Sequence, residues 1–177
     1  MNPAAAAPDE EPRARNMPDR QALVAALGLV PHPEGGHYRE VFRSERQVTY
    51  RGAQRSAGTS IYYLLCDGAF SAWHRIDADE AWYFHAGEPL ALHVLQPDDS
   101  LITHRLGNPL NHAGTVFQAV VPAGRWFAAE LELPESFCLV GCAVAPGFEF
   151  SGFELATEAT LAGAVRRHGD CVRRLLK

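Results

Sequence analysis

The chain reads as an all-β protein, an antiparallel sandwich or barrel, on three observations. Between about Tyr38 and Phe153, ten short segments rich in Val, Phe, Tyr and Trp follow one another, the composition that suits a pleated, half-buried surface. Gly, Pro, Asp or Asn separate them, with Asp67-Gly68 and Pro97-Asp98-Asp99 as hairpin turn signals. Helical periodicity is confined to the two ends. Many short strands at regular spacing pack as two sheets or close on themselves.

The elements follow in order. Residues 1–17 are rich in Pro and Ala and carry Asp9, Glu10 and Glu11. They read as a flexible tail, and not as a secretory signal, because no basic head precedes an apolar stretch. A short helix comes next: Asp19 is its expected N-cap, Ala22, Leu23, Ala26 and Leu27 form an apolar stripe, and Gly28 stops it. The segment PHPEGGHYRE is dense in helix and strand breakers and leads as a loop into the first strand. Strands are expected over Tyr38–Arg43, Thr59–Cys66, Phe70–Ile76, Ala81–His85, Leu90–Gln96, Leu101–Leu106, Val116–Val121, Arg125–Leu131, Phe137–Ala145 and Glu149–Leu155. Pro146-Gly147 reads as a turn with Phe148 and Phe150 filling core. Thr157–Lys177 is helical in pattern, capped by Thr157 and broken at Gly169. The expected organisation is therefore a tail over 1–17, one domain over 18–156 and a helical tail over 157–177.

Composition narrows the function classes. A chain of 177 residues with 47% hydrophobic content can bury one sizeable core. A net charge of −5 argues against nucleic-acid binding, which needs clustered cations; Arg166-Arg167 and Arg173-Arg174 alternate with apolar residues and read as a solvated helix face. No apolar run approaches the ~20 residues that span a bilayer, so a cytoplasmic protein is expected. Cys138 and Cys142 lie roughly 13 Å apart along one strand, too far for a disulfide. All four cysteines read as buried small hydrophobes.

The stretch Gly68 to Gly87, GAFSAWHRIDADEAWYFHAG, carries the chemistry. Side chains alternate faces along a strand, so His74, Ile76 and Glu80 share a face. By the same parity Phe70 and Ala72 join His74, Trp82 and Phe84 follow Glu80 inward, and Tyr83 and His85 point away. An imidazole and a carboxylate aimed at one interior can bind a metal, move a proton or hold a polar ligand. Trp73 and Trp126 flank this region and suit packing between layers or at a subunit interface.

The spacing Gly68-x5-His74-x-Ile76-x3-Glu80-x6-Gly87 resembles the first motif of the cupin superfamily, with Ile76 where a second histidine stands. Pro122-x-Gly124-x-x-Phe127 resembles the second motif, with Phe127 in place of its histidine. The wider wording, including PHPEGGHYRE, SAWHRIDADEAWYFHAGEPL, QAVVPAGRWFAAEL and VGCAVAPGFEFSGFEL, is similar to the cupin-5 family, relatives of the nucleotide-sugar epimerase-like cupins, over roughly Leu27 to Ala156. The resemblance implies a double-stranded β-helix, a jelly-roll barrel with short N- and C-terminal helices, and a homodimer. Two of the usual four metal ligands are replaced, so no cofactor is expected; a divalent metal, if bound, would rest on His74 and Glu80. His37 and His93 are the remaining histidines that could contribute, since His85 has the wrong parity.

The function expected is binding of a small-molecule ligand, with metal-independent isomerase or epimerase chemistry on a sugar-like or carbonyl substrate. In that reading His74 is the base and Glu80 or Asp79 orients it. Tyr38, Tyr63 or Tyr83 donates a proton, and Arg75 or Arg39 holds a substrate carboxylate or phosphate. Trp82, Phe84, Arg125 and Phe127 line the cavity, with Ala129 as the alternative to Arg125. Glu34 and His37 close its mouth. A metal-dependent oxygenase or lyase and a non-catalytic ligand-binding dimer are the alternatives.

Overall fold

The structure, a computed structural model, describes residues 20–177. The tail expected over 1–17 and the Asp19 cap lie outside the described residues.

Helix α1 (Arg20–Leu27) precedes a short strand β1 (Val30–Pro31) and β2 (His37–Arg43). A hairpin of β3 (Gln47–Tyr50) and β4 (Ala53–Ser56) leads to β5 (Thr59–Cys66), β6 (Phe70–Ile76), β7 (Asp79–Gly87), β8 (Leu90–Leu95) and β9 (Leu101–Leu106). Then follow β10 (Gln118–Val121), β11 (Phe127–Leu131), β12 (Phe137–Ala145), a 3-10 turn at Phe150–Gly152 and β13 (Phe153–Leu155). The chain closes with α2 (Ala162–His168) and α3 (Asp170–Arg173).

The strands form two facing sheets, ordered β1-β2-β5-β12-β7-β10 and β13-β6-β11-β8-β9. Inward residues of both fuse into one core that includes Trp82, Phe127, Leu92, Val121 and Val140. This is the expected all-β double-stranded β-helix. A second cluster seals the outer face of the smaller sheet, where Trp73 and Ala128 pack under Ala164, Val172 and Leu175. The Trp73 indole donates to the Val172 carbonyl at 2.9 Å. A third cluster seats α1 on the larger sheet through Leu64 and Leu139.

Several sequence expectations change. Thr157 does not cap a helix: it closes a turn with Thr160, and α2 starts after Leu161. The Glu149–Leu155 strand shortens to β13, and Phe150 is 56% exposed and not core. Cys171 is exposed, while the other three cysteines are buried. The β3–β4 hairpin is an addition; each of its strands has only four residues, too few for alternation to mark them.

Three bulges interrupt the sheets, at His85 on β7, on β6 and on β2, and the last two decide which side chains turn toward the cavity. On β6, Phe127 pairs His74 while Ala129 pairs Ser71, so Ala72 and Trp73 together oppose Ala128. The extra residue turns the start of β6 over. Ser71 therefore faces inward with His74, and Phe70 packs outward against the helical cluster, contrary to strict parity. On β2, Glu40 pairs Ile61 and Phe42 pairs Ser60, leaving Val41 as the extra residue.

Candidate functional site

A cavity of about 320 Å³ opens at one end of the barrel. Its walls are Tyr38, Ile61, Phe148 and Phe153. At the floor lie His74, Ile76, Glu80 and Cys142, together with Glu34. The size and the mixture of aromatic wall and few polar groups are those of a small-molecule site.

Glu34 reaches the floor because two glycines permit it. Gly35 and Gly36 have φ of 123° and 66°. A Cβ on Gly35 would stand 2.0 Å from the Phe70 carbonyl oxygen, and one on Gly36 would stand 2.6 Å from that of Leu64. Only a residue without a side chain can pass so close to both sheets. The loop is then tied down. The Ala72 N–H donates to the Glu34 carbonyl at 3.0 Å, and the Tyr63 hydroxyl donates to the Gly35 carbonyl at 2.8 Å.

The Glu34 side chain, 5% exposed, is the partner of His74. Its Oε2 lies 3.0 Å from His74 Nε2, and its Oε1 accepts from the Ser71 hydroxyl at 2.9 Å. His74 Nδ1 lies 2.8 Å from the Ala72 carbonyl oxygen. A backbone carbonyl only accepts, so Nδ1 carries a proton; an ionised Glu34 requires one on Nε2 as well. Burial disfavours the charged imidazole, but the Glu34 carboxylate outweighs it and holds His74 above its ordinary value. Burial likewise works against the Glu34 carboxylate, yet His74 keeps it below the usual range. The pair is an imidazolium and a carboxylate with both ring nitrogens engaged.

Glu80 stands differently. It is buried in the pocket, and among the described residues the carboxylate that meets His74 is Glu34 and not Glu80. Burial pushes its carboxyl up to about 7, with His74 pulling down and Glu34 pushing up. The neighbouring Cys142 thiol is held well above its ordinary value, first by burial and then by Glu80 and Glu34. The Cys142 and Trp82 side chains act on Glu80 in the opposite sense to burial, each favouring its carboxylate.

His32 also lines the cavity, edge-on to Tyr38 with ring centroids 4.5 Å apart. Burial lowers its basicity despite Glu34 nearby, and its Nδ1 accepts from the Glu34 N–H at 3.3 Å. At the mouth, Arg43 joins Glu40 and Glu149. The β2 bulge brings Arg43 onto the pocket side with Tyr38 and Glu40.

The expected site residues thus divide. His74, Glu80, Glu34 and Tyr38 line one cavity. Tyr63 lies just behind it, its ring centroid 5.7 Å from that of His32, and the Phe127 ring packs at a tilt against His74 with centroids 4.0 Å apart. Trp82 and Phe84 belong to the core beneath, and Ala129 lies there with them. Arg75 points outward, paired with Glu154 at 2.6 Å and lying over Trp126, because its parity is opposite to that of His74. Arg125 sits in the turn before β11, and Arg39 is exposed with its parity away from the cavity. His37 alternates with Tyr38 and so faces away from the cavity, with Nδ1 buried and, among the described residues, without a hydrogen-bond partner. Asp79 accepts from the Ala123 N–H at 2.8 Å at the barrel edge. Tyr83 and His85 are exposed on the outer sheet face. His93 lies on the outer face of the smaller sheet, 2.9 Å from Glu130. Sequence reasoning missed His32, Arg43, Cys142 and Glu149. Only His32 carried a signal, as part of the His-Pro-Glu-Gly-Gly loop.

The donor set does not suit a metal. Among the described residues no three His, Cys, Asp or Glu side chains converge on a point, and both nitrogens of His74 are committed. A catalytic centre asks for about three protein ligands with free lone pairs.

Comparison with known proteins agrees with the geometry. The family model described as Cupin superfamily (DUF985) matches residues 21–156. A Shewanella oneidensis protein of known crystal structure is 39% identical, covering 91% of this chain and 99% of its own, with a TM-score of 0.81. A hypothetical protein from Leishmania major is 33% identical, covering 89% and 98%, with a TM-score of 0.79. Oxalate decarboxylase from Bacillus subtilis shares the fold at 15% identity and a TM-score of 0.51, over 82% of this chain and 36% of its own. No curated protein matches the chain.

Proposed function

The chain belongs to the Cupin superfamily (DUF985) family, and from that premise we propose that it is a metal-independent isomerase or epimerase acting on a sugar-like or carbonyl substrate. The observation that carries this is Glu80: a buried carboxyl in a small-molecule cavity, pushed up to about 7. An acid poised near the operating pH gives up and regains a proton with least cost.

The geometry supports a different division of labour from the one the motif suggests. His74 has no free lone pair, so it is not the base. Glu80 takes the proton alpha to the substrate carbonyl and returns it to the former carbonyl carbon of the resulting enediolate, while the proton of the neighbouring hydroxyl passes to the former carbonyl oxygen, so that carbonyl and hydroxyl change places. The His74 imidazolium, fixed by Glu34 and the Ala72 carbonyl, stabilises the negative charge that develops on the substrate oxygen. His32 or Tyr38 supplies a hydrogen bond from the wall. Deuterium exchange tests this. Free aldoses, ketoses and small hydroxy-ketones are incubated with the protein in heavy water, and wild type is compared with Glu80→Gln. Exchange that is lost in Glu80→Gln is expected; equal exchange in both proteins, or none across the panel, sinks the reading.

A non-catalytic ligand-binding dimer is the second reading. Phe42, Tyr83 and Val120 are exposed on the outer face of the larger sheet, which favours a homodimer formed there. Sedimentation of Tyr83→Glu as a monomer and wild type as a dimer would support it. A metal-dependent oxygenase or lyase gains no support from the donor set. No described helix is long and apolar enough to cross a membrane, and a cytoplasmic location remains part of the proposal.

A further inference from the structure

The pocket also carries information on the charge of what enters it. Arg43 is the arginine among its lining residues, and it is already engaged. Its Nε and Nη2 each donate to the Glu40 carboxylate at 2.9 Å. Its Nη1 donates to Glu149 at 2.8 Å, and Nη2 reaches the Phe148 carbonyl at 3.1 Å. The mouth therefore holds two carboxylates against one cation. Deeper in, the His74 imidazolium is matched by Glu34 at 3.0 Å, and the buried His32 is an acceptor at Nδ1. Glu80 has no opposite charge of its own.

Among the described residues, every positive charge on the lining is matched from mouth to floor and the surplus is negative. A phosphate or carboxylate entering here meets like charge, partly screened at the mouth and poorly screened at the buried floor, and finds no uncommitted cation among the described lining residues. An uncharged, hydroxyl-rich molecule meets carboxylate acceptors and the faces of Tyr38, Phe148 and Phe153. We infer that Glu40 and Glu149 are specificity determinants that withhold Arg43 from anions, and that the substrate is an uncharged hydroxy-carbonyl compound, a free sugar or its like, and not a phosphorylated or nucleotide-linked one. This rests on the pocket being the substrate site proposed above, and it names the class of substrate there.

Inorganic phosphate is the probe. It is titrated into isotope-labelled full-length protein while the amide signals of Glu40, Arg43, Phe148 and Glu149 are followed by NMR. In wild type no saturable shift of these signals is expected. In Glu40→Gln/Glu149→Gln the guanidinium is released, and phosphate should bind at least about tenfold more tightly, the low end of a charge-assisted hydrogen bond. Adding Arg43→Gln should abolish the gain. Saturable phosphate binding in the wild-type pocket, or no gain in the double variant, overturns the inference. If the double variant does not fold, Glu149→Gln alone, with a smaller gain expected, decides it beside the wild-type titration. The readout needs no turnover. A protein that refuses phosphate but exchanges no deuterium would refute the reaction proposed above and leave the charge selection standing.

Discussion

Glu80→Gln offers the sharpest measurement on the site, because the buried carboxyl must leave a mark on folding stability. Its acid is raised from the ordinary 4.5 to about 7 in the folded protein. Between those values the folded state holds a proton that the unfolded chain has lost, so stability falls as pH rises through the window. Below about 4.5 both states are protonated and there is no penalty; above about 7 the penalty is complete. At about 1.4 kcal/mol for each tenfold in proton affinity, the full step is about 3 kcal/mol. Gln keeps the shape and never ionises. The stability of Glu80→Gln relative to wild type should therefore climb by about 3 kcal/mol between pH 4 and pH 8, with most of the climb between 4.5 and 7. For a domain of this size that is a relative gain of roughly 6–12 °C in Tm. Urea denaturation followed by tryptophan fluorescence, run in parallel on both proteins at closely spaced pH, gives the difference curve directly. Groups remote from Glu80 titrate alike in the two proteins and cancel in it, whereas His74 and Glu34, which interact with its charge, contribute to the difference. A difference that stays flat from pH 4 to pH 8 would show that Glu80 is ionised normally, and the acid–base role assigned to it would go with it.

Other predictions probe the surroundings. Glu34→Gln or His74→Ala leaves half of a buried ion pair and should cost about 3–5 kcal/mol in chemical denaturation. The pair has its own pH signature. Glu34 is held below 4.5, so its stabilisation is present above that value and lost as pH falls through the lowered one; His74 is held above 6.5, so its share is present below 6.5 and lost as pH rises through the raised one. Gly35→Ala must push the loop off Phe70 and should destabilise by at least about 1–3 kcal/mol, with loss of ligand binding as Glu34 withdraws; a thermal melt within 1 °C of wild type would contradict the close approach. Arg43→Ala removes a partly exposed ion pair and should cost only about 1 kcal/mol or less, yet hydrogen exchange at Glu149 and Phe150 should quicken because their tether to β2 is gone.

How far the sequence reached depended on whether the controlling force was local. Strands such as Thr59–Cys66 and Phe137–Ala145 were legible to the residue, because an apolar run ends at a turn whose residues set its boundary. The inward placement of His74, Ile76 and Glu80 followed from period-two alternation beyond the β6 bulge. Phe70 and Ala72 could not be placed, since a bulge adds one residue with no mark in the sequence and inverts every position on its far side. Arg75 was assigned to ligand binding by its chemistry, although its neighbours on β13 supply Glu154 as a partner. Glu34 was expected at the mouth and lies at the floor: its contact with His74 spans 40 residues of chain, and only the double glycine hinted that the backbone would pass close to something. Arg43 and Glu149 meet across 106 residues, a pairing set by barrel closure and not by any local pattern.

The bulge on β6 joins two parts of the molecule that look independent. Trp73 belongs to the layer under α2 and α3, whereas His74, the next residue, belongs to the cavity. Ala72 gives its N–H to the Glu34 loop and its carbonyl to the His74 ring. A shift of Trp73 toward or away from Val172 and Leu175 thus moves both supports of the imidazole together. Random mutagenesis scored by ligand binding should return hits at Val172, Leu175 and Leu161 on the far side of the smaller sheet from the cavity. Such hits would mark the helical cover as the backing plate against which the binding site is held to its shape.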